Sequence, residues 1–288
     1  MRRLTLVLGA LVVLAVSGAH GQGAVAFDSN KAWEHLRQQV AIGPRPSGSP
    51  GNVTNRAYIT KTLSAIGLKT VEQAWEATTP IGPIKMVNLI ATIPGQRSDR
   101  IVLASHFDTK LFREFRFVGA SDGASSTAAL LELARVLKAR PRLPFTIELL
   151  FLDGEEATGE WRDPDNTYGS RHYVAVARKT GTLESLRALI LLDMIGDRQL
   201  NIRRETNSTP WLTDIVWNVA RRLGHQAHFL AESMAVEDDH LHFLKAGVPS
   251  IDIIDLDYPA WHTAQDTLEA VSARSLQVVG DVVVAALP

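Results

Sequence analysis

The stretch Thr146-Ile-Glu-Leu-Leu-Phe-Leu-Asp-Gly-Glu-Glu-Ala157 decides how this chain is read. Residues 146–152 form a short, nearly continuous apolar run, the pattern of a strand buried on both faces of a sheet. The run ends abruptly in Asp153, a glycine and the adjacent pair Glu155 and Glu156. Three other runs share the pattern. Residues 101–105 lead into His106 and Asp108, residues 188–193 end in Asp193, and residues 250–254 are followed shortly by Trp261-His262. Helical spacing of apolar residues lies between these runs, over 125–138, 168–179, 210–223 and 240–245, and again over 268–286. This alternation predicts an α/β fold: an α/β/α sandwich around a mixed, mostly parallel central sheet. Upstream, two helices are predicted over 32–40 and 55–66, separated by the turn-rich residues 43–51, with Gly67 as the stop of the second. Strands over 68–73 and 85–93 should then form an antiparallel pair.

Open α/β sheets place ligands at the carboxyl ends of their strands. On that rule His106, Glu155, Glu156, Asp193 and His262 should meet at one edge. Asp122, in Gly119-Ala-Ser-Asp-Gly123, precedes the 125–138 helix and could serve either as its N-cap or as one more acid of the cluster. A set of His and carboxylates suits zinc with one coordination position left open, and a spare glutamate beside it suits proton transfer.

Composition narrows the chemistry further. The 288 residues are 45% hydrophobic and 21% charged, enough apolar material for a large core and inconsistent with disorder. Thirty Lys and Arg against 31 Asp and Glu give a net charge of -1, which supplies no electrostatic footprint for nucleic acid or anionic lipid. The absence of cysteine excludes disulfides, a thiol nucleophile and Cys-ligated metal. Arg2 and Arg3 precede the apolar residues 4–16, and small residues follow through Gly21, the order of a secretory signal. The apolar run is shorter than the roughly 20 residues a membrane span needs. Residues 1–21 are therefore expected to be removed, with cleavage as late as 26. Residues 27–288 should form a single catalytic domain, secreted or periplasmic, without stable membrane association and monomeric.

The motifs Ser105-His-Phe-Asp108, Gly119-Ala-Ser-Asp-Gly123, Leu152-Asp-Gly-Glu-Glu156, Tyr168-Gly-Ser-Arg171 and His262-Thr-Ala-Gln-Asp-Thr267 resemble, in order and spacing, those of the M28 zinc aminopeptidases. Within that superfamily the chain resembles the glutaminyl cyclases (glutaminyl-peptide cyclotransferases). Trp161 follows Glu155 at the cyclase spacing, and Asp193-Met-Ile-Gly196 resembles the cyclase Asp-Leu-Ile-Gly. Asp238-Asp-His240 opens a closely matching run, Trp261 directly precedes His262, and Lys110 closes the cyclase form of the His-Phe-Asp motif.

The resemblance implies an enzyme that closes the N-terminal glutamine of peptides or proteins to pyroglutamate and releases ammonia. It implies one zinc on Asp122, Glu156 and His262, with Glu155 shuttling the proton and Asp193 and Asp238 sharing its hydrogen-bond network. Trp161 and Trp261 would wall the pocket, and Tyr258 is the expected aromatic of its rim. Glu237 stands where the cyclases usually carry Gln, and the cysteine pair of the animal enzymes is missing. The alternative is a two-zinc aminopeptidase in which His106 and Asp193 bind a second metal and Asp122 bridges. All the residue types that this alternative needs are also present.

Overall fold

The computed structural model describes residues 25–288; the expected signal, residues 1–21, lies outside them. The chain begins with two helices, α1 (Ser29–Ile42) and α2 (Pro50–Ala65), followed by a hairpin of β1 (Thr70–Thr79) and β2 (Gly82–Ile93). Then come β3 (Arg97–His106), α3 (Ala124–Lys138), β4 (Phe145–Leu152), α4 (Tyr168–Thr180) and β5 (Leu186–Asp193). The last third contains β6 (Ile202–Glu205), α5 (Pro210–Arg222), β7 (Phe229–Met234), α6 (His240–Lys245), β8 (Ser250–Ile254) and α7 (Ala273–Ala286). The main sheet has the order β1-β2-β4-β3-β5-β8. Its four strands β4, β3, β5 and β8 are mutually parallel, and the hairpin adds two antiparallel strands at the β4 edge.

Alternate residues of the parallel strands supply two cores, because successive side chains point to opposite faces. Leu103, Leu149, Ile190 and Ile251 pack on one face with α1, α2, α3, α5 and α7. Val102, Leu150 and Leu189 pack on the other with Tyr173 of α4 and Phe243 of α6. Helices thus cover both faces of a mixed, largely parallel sheet. The N-terminal segment belongs to the same core. The Phe27 ring lies against Gly280 of α7, where an added Cβ would come within 2.5 Å of it. The Phe27 carbonyl accepts from Gln277 Nε2 at 3.0 Å.

Where boundaries depart from the sequence pattern, capping explains the shift. α2 begins at Pro50 because Ser49 accepts from the Asn52 amide and proline is favoured in a first turn. α7 begins only at Ala273, capped by Ser272, since Val271 instead bridges to Asp197. β1 runs on to Thr79, paired with β2 as far as Gly82. The small parallel sheet of β6 and β7 was not predicted. Ile202-Arg-Arg-Glu205 is too short and polar to carry a strand pattern.

The α1–α2 contact carries a pH dependence. His35 Nδ1 meets the Tyr58 hydroxyl at 2.7 Å, and burial pushes the His35 pKa down to about 4. The unfolded chain takes up this proton near the ordinary value of 6.5, while the folded protein resists it until about 4. Stability is therefore lost as pH falls through that interval. Urea unfolding of His35→Gln against wild type should show a shallower loss for the variant between those two values.

Candidate active site

The carboxyl ends of the parallel strands bring the polar residues together. β3 ends in His106, and the following loop carries Asp108, buried beneath the turn after β4. Asp108 Oδ1 accepts from the Glu155 amide at 3.2 Å and Oδ2 from the Glu156 amide at 3.3 Å, so one carboxylate fixes both glutamates. Asp122 does not cap α3, whose N-cap is Gly123 with φ 81°. A Cβ there would lie 2.6 Å from the Asp108 carbonyl oxygen and 3.1 Å from the His106 ring, so glycine permits the close approach of the two loops. The Ser121 and Asp122 amides donate to Asp266, at 2.7 and 3.1 Å, and this turns the Asp122 side chain inward.

Two groups of ligand atoms share Asp122. In the first, His262 Nε2 lies 3.3 Å from both Asp122 Oδ2 and Glu156 Oε1. Zinc bonds of about 2.0–2.1 Å in a tetrahedron separate the ligands by about 3.3 Å, so these spacings fit that metal. Asp122 Oδ2 and Glu156 Oε2 are buried without a hydrogen-bond donor, as metal-binding carboxylates would be. The group also demands positive charge. Burial opposes a charged His262, yet Asp122 and Glu156 lift its pKa to about 9. Burial and the nearby Asp122 in turn raise Glu156 to about 7.

In the second group, His106 Nε2 meets Asp193 Oδ1 at 3.0 Å and Asp122 Oδ1 at 3.3 Å. The two groups differ in access. Asp122, Glu156 and His262 line a cavity of about 290 Å³, whereas His106 is sealed behind it.

Glu155, Asp193 and Asp238 also line the cavity and are buried. Burial, followed by the charges around it, pushes the Glu155 carboxyl well up; its neighbours Glu156, Asp238 and Asp193 add to the rise and His106 offsets part of it. Asp238 is raised by burial and by Asp193 and Asp239. Its Oδ1 accepts from the Asp239 amide, and its Oδ2 has no donor. At the mouth stand Trp161 and Trp261, 38% and 44% exposed. Apolar side chains of Met194, Val236, Ile254 and Leu256 wall the space between.

The His262 ring stacks on Trp261 at 4.4 Å and meets the edges of Phe112 and Phe117 at 5.6 and 5.9 Å. The three non-glycine residues with positive φ among those described are Thr167, Met194 and His262. Met194 and His262 line this cavity, and Thr167 lines an adjoining one, the usual clustering of backbone strain at a functional site.

Tyr258 corrects an expectation. It is only 4% exposed, does not line the cavity, and donates its hydroxyl to Asp266 Oδ1 at 2.6 Å. The aromatic expected at the rim instead braces the residue that orients Asp122. Glu237 does line the cavity, exposed at its edge. The bracing roles of Asp108 and Asp266 were not assigned from the sequence, although both stand inside the quoted motifs. His240 is fully buried, with Nε2 3.1 Å from Glu205 Oε2, and His242 Nε2 pairs with Thr167 Oγ1 at 2.9 Å.

With this geometry in place, comparisons with known proteins assign the family. The model of peptidase family M28 matches residues 88–287. The glutaminyl-peptide cyclotransferase-like protein of Bos taurus is 32% identical over 84% of this chain and 70% of its own length. The crystal structure of an Acidobacteriales bacterium glutaminyl cyclase is 40% identical, with a TM-score of 0.88 and 97% of each chain covered. A leucine aminopeptidase precursor from Bacteroides thetaiotaomicron is also similar, at 28% identity and a TM-score of 0.85 over 92% of this chain and 98% of that one. The chain belongs to peptidase family M28, within the part of it that holds the glutaminyl-peptide cyclotransferases.

Proposed function

We propose that this protein is a zinc-dependent glutaminyl-peptide cyclotransferase, converting the N-terminal glutamine of peptides to pyroglutamate with release of ammonia. The observation that carries the reading is the cavity itself. Three buried acids, Glu155, Asp193 and Asp238, share it with the Asp122, Glu156 and His262 group under two tryptophans, while His106 is shut out. Asp122, Glu156 and His262 would hold one zinc, which when bound supplies Lewis acidity at the γ-carbonyl oxygen of the substrate.

The chain's own residues supply the rest. The substrate α-nitrogen attacks the γ-amide carbon, forming the ring C–N bond and losing a proton. The bond from that carbon to the amide nitrogen breaks, and the departing nitrogen takes a proton to leave as ammonia. Glu155 accepts the first proton and returns it in the second step, as a carboxylate lining the cavity beside the substrate can do. Asp193 and Asp238 hydrogen-bond the proton-carrying Glu155 or the leaving nitrogen. Trp161 and Trp261 hold the glutamine side chain and keep out water, which would otherwise compete with the amine as nucleophile.

The test is mass spectrometry of a Gln-initiated and a Leu-initiated peptide. Cyclotransferase activity appears as loss of ammonia from the first with the second unchanged. Release of free N-terminal residues would instead establish the two-zinc aminopeptidase. Trp261→Ala should raise KM by about 2–10-fold, the worth of one aromatic contact, with a smaller change in kcat. An unchanged KM would remove Trp261 from the substrate pocket.

The basic and apolar order of residues 2–21 supports export, with residues 27–288 acting as a single, monomeric catalytic domain outside the cytoplasm. Among the described residues no helix is long and apolar enough to cross a membrane. An intact residue 1 on protein recovered from cells would refute export.

A further inference from the structure

A second buried cluster lies behind the cavity. Asp252, in the middle of β8, is fully buried, and neither of its carboxylate oxygens meets a hydrogen-bond donor. Asp238 Oδ2, Asp239 Oδ2 and His240 Nδ1 are likewise buried without partners. Ligand atoms of Asp238, His240 and Asp252 lie within 4.8 Å of one another.

Glu205, at the end of β6, sets the arrangement. It accepts from the Asn207, Ser208 and Val236 amides and from Ser208 Oγ. Burial works against its charge, but His240 and these donors hold its pKa down at about 2. Facing an ionised Glu205 at 3.1 Å, His240 Nε2 must carry its hydrogen. His240 Nδ1 then points toward Asp252 Oδ2 at 3.8 Å, too far for a hydrogen bond.

Both carboxylate oxygens of Asp252 and the Oδ2 atoms of Asp238 and Asp239 therefore have no donor within hydrogen-bond distance. Ionisable groups reach Asp252 from each neighbouring element: Asp238 and Asp239 from the loop before α6, His240 from α6, Glu205 from β6 and Asp193 from β5. An ionised carboxylate in that company, with no donor, is far costlier than a neutral one. A single proton on Asp252 removes its own charge and supplies the donor that Asp238 lacks. We propose that Asp252 is held as the neutral carboxylic acid and donates to Asp238 Oδ2, fixing the orientation of the acid that lines the cavity. Ligand atoms of the two residues lie within 4.8 Å, a gap that a side-chain rotation or one bridging water would close. Burial drives the same way, raising the Asp252 carboxyl, and the carboxylates of Asp238, Asp193, Glu205 and Asp239 reinforce it.

Asp252 does not line the cavity, so it is a positioning residue, and its effect on rate rests on the cyclotransferase reading. Asp252→Asn and Asp252→Ala separate the possibilities. The Asn side chain presents N–H donors permanently in the same place, so its kcat should stay close to wild type. Asp252→Ala should lower kcat by about 10–100-fold, the worth of a hydrogen bond to a charged group, with KM little changed. Equal damage from both substitutions would mean that an ionised Asp252 is required, as a cation ligand would be, and would overturn the proposal.

A second readout needs no activity. The infrared carbonyl stretch of a neutral carboxylic acid should be present in wild type at neutral pH and weakened in Asp252→Asn. An identical band in both proteins would refute a protonated Asp252. Absence of cyclisation by the wild type would count against the function alone, because the infrared comparison would still decide the protonation state.

Discussion

Glu155→Gln should lower kcat for glutamine cyclisation by about 10²–10⁴-fold, the range attributed to a well-placed general acid–base group. The substitution keeps the size of the side chain and its place in the turn, because the Glu155 amide is held by Asp108 through the backbone. It removes only the capacity to take a proton from the α-amine and pass it to the departing nitrogen. KM should change little, since substrate is held chiefly by the walls of the cavity. Glu156 is the next residue and its amide shares the Asp108 anchor, so the zinc content of the variant must be measured alongside its rate. Full zinc with a loss below tenfold would remove Glu155 from the proton path. Loss of zinc together with rate would mean that the residue acts through its neighbour rather than on the substrate.

The same turn shows how much was legible in the sequence. Residues 146–152 read as a buried strand because both faces of the central sheet are covered by helices, which leaves no polar face to alternate. Its end in two glutamates was visible for the same reason: polarity returns abruptly where the strand leaves the sheet. The metal-type residues were legible as residue types at strand ends, and the structure brings Asp122, Glu156 and His262 to within 4.8 Å of one another.

Roles that depend on which way a side chain turns were less visible. Asp122 could have been a helix cap until Asp266 was seen holding its amide. Tyr258 could have faced substrate, but its hydroxyl is drawn to that same Asp266. Asp252 reads as one polar residue inside an apolar run, and only the packing of β6 and α6 against β8 surrounds it with acids. β6 itself gave no signal. Four residues with two arginines cannot show a period, and the strand exists because β7 pairs with it.

Removal of zinc should abolish cyclisation to background, and one zinc per chain should restore it. The three ligands come together only in the folded protein, so the metal should also contribute stability: at free zinc about 1,000 times its dissociation constant, and with no binding to the unfolded chain, the gain is about 4.1 kcal/mol. Chelated protein should therefore unfold at a lower temperature than the loaded form, and His262→Ala, which lacks one of three ligands, should lose that difference.

Zinc affinity should also rise with pH, because the ligands must shed protons to bind. In the metal-free protein Asp122 and Glu156 hold a proton on His262 up to about 9, and burial with Asp122 holds one on Glu156 up to about 7. Zinc competes with both protons at low pH and with neither above that interval. Competition with a chelator should give a dissociation constant that falls as pH rises through 7 and on toward 9, then levels. A pH-independent constant across the interval would place the metal elsewhere.

Stoichiometry decides the remaining alternative. His106 contacts Asp193 and Asp122 but is sealed from the cavity, so His106→Gln should still bind one zinc. Two zinc ions in wild type, falling to one in that variant, would put a second metal on His106 and Asp193, as the aminopeptidase alternative requires.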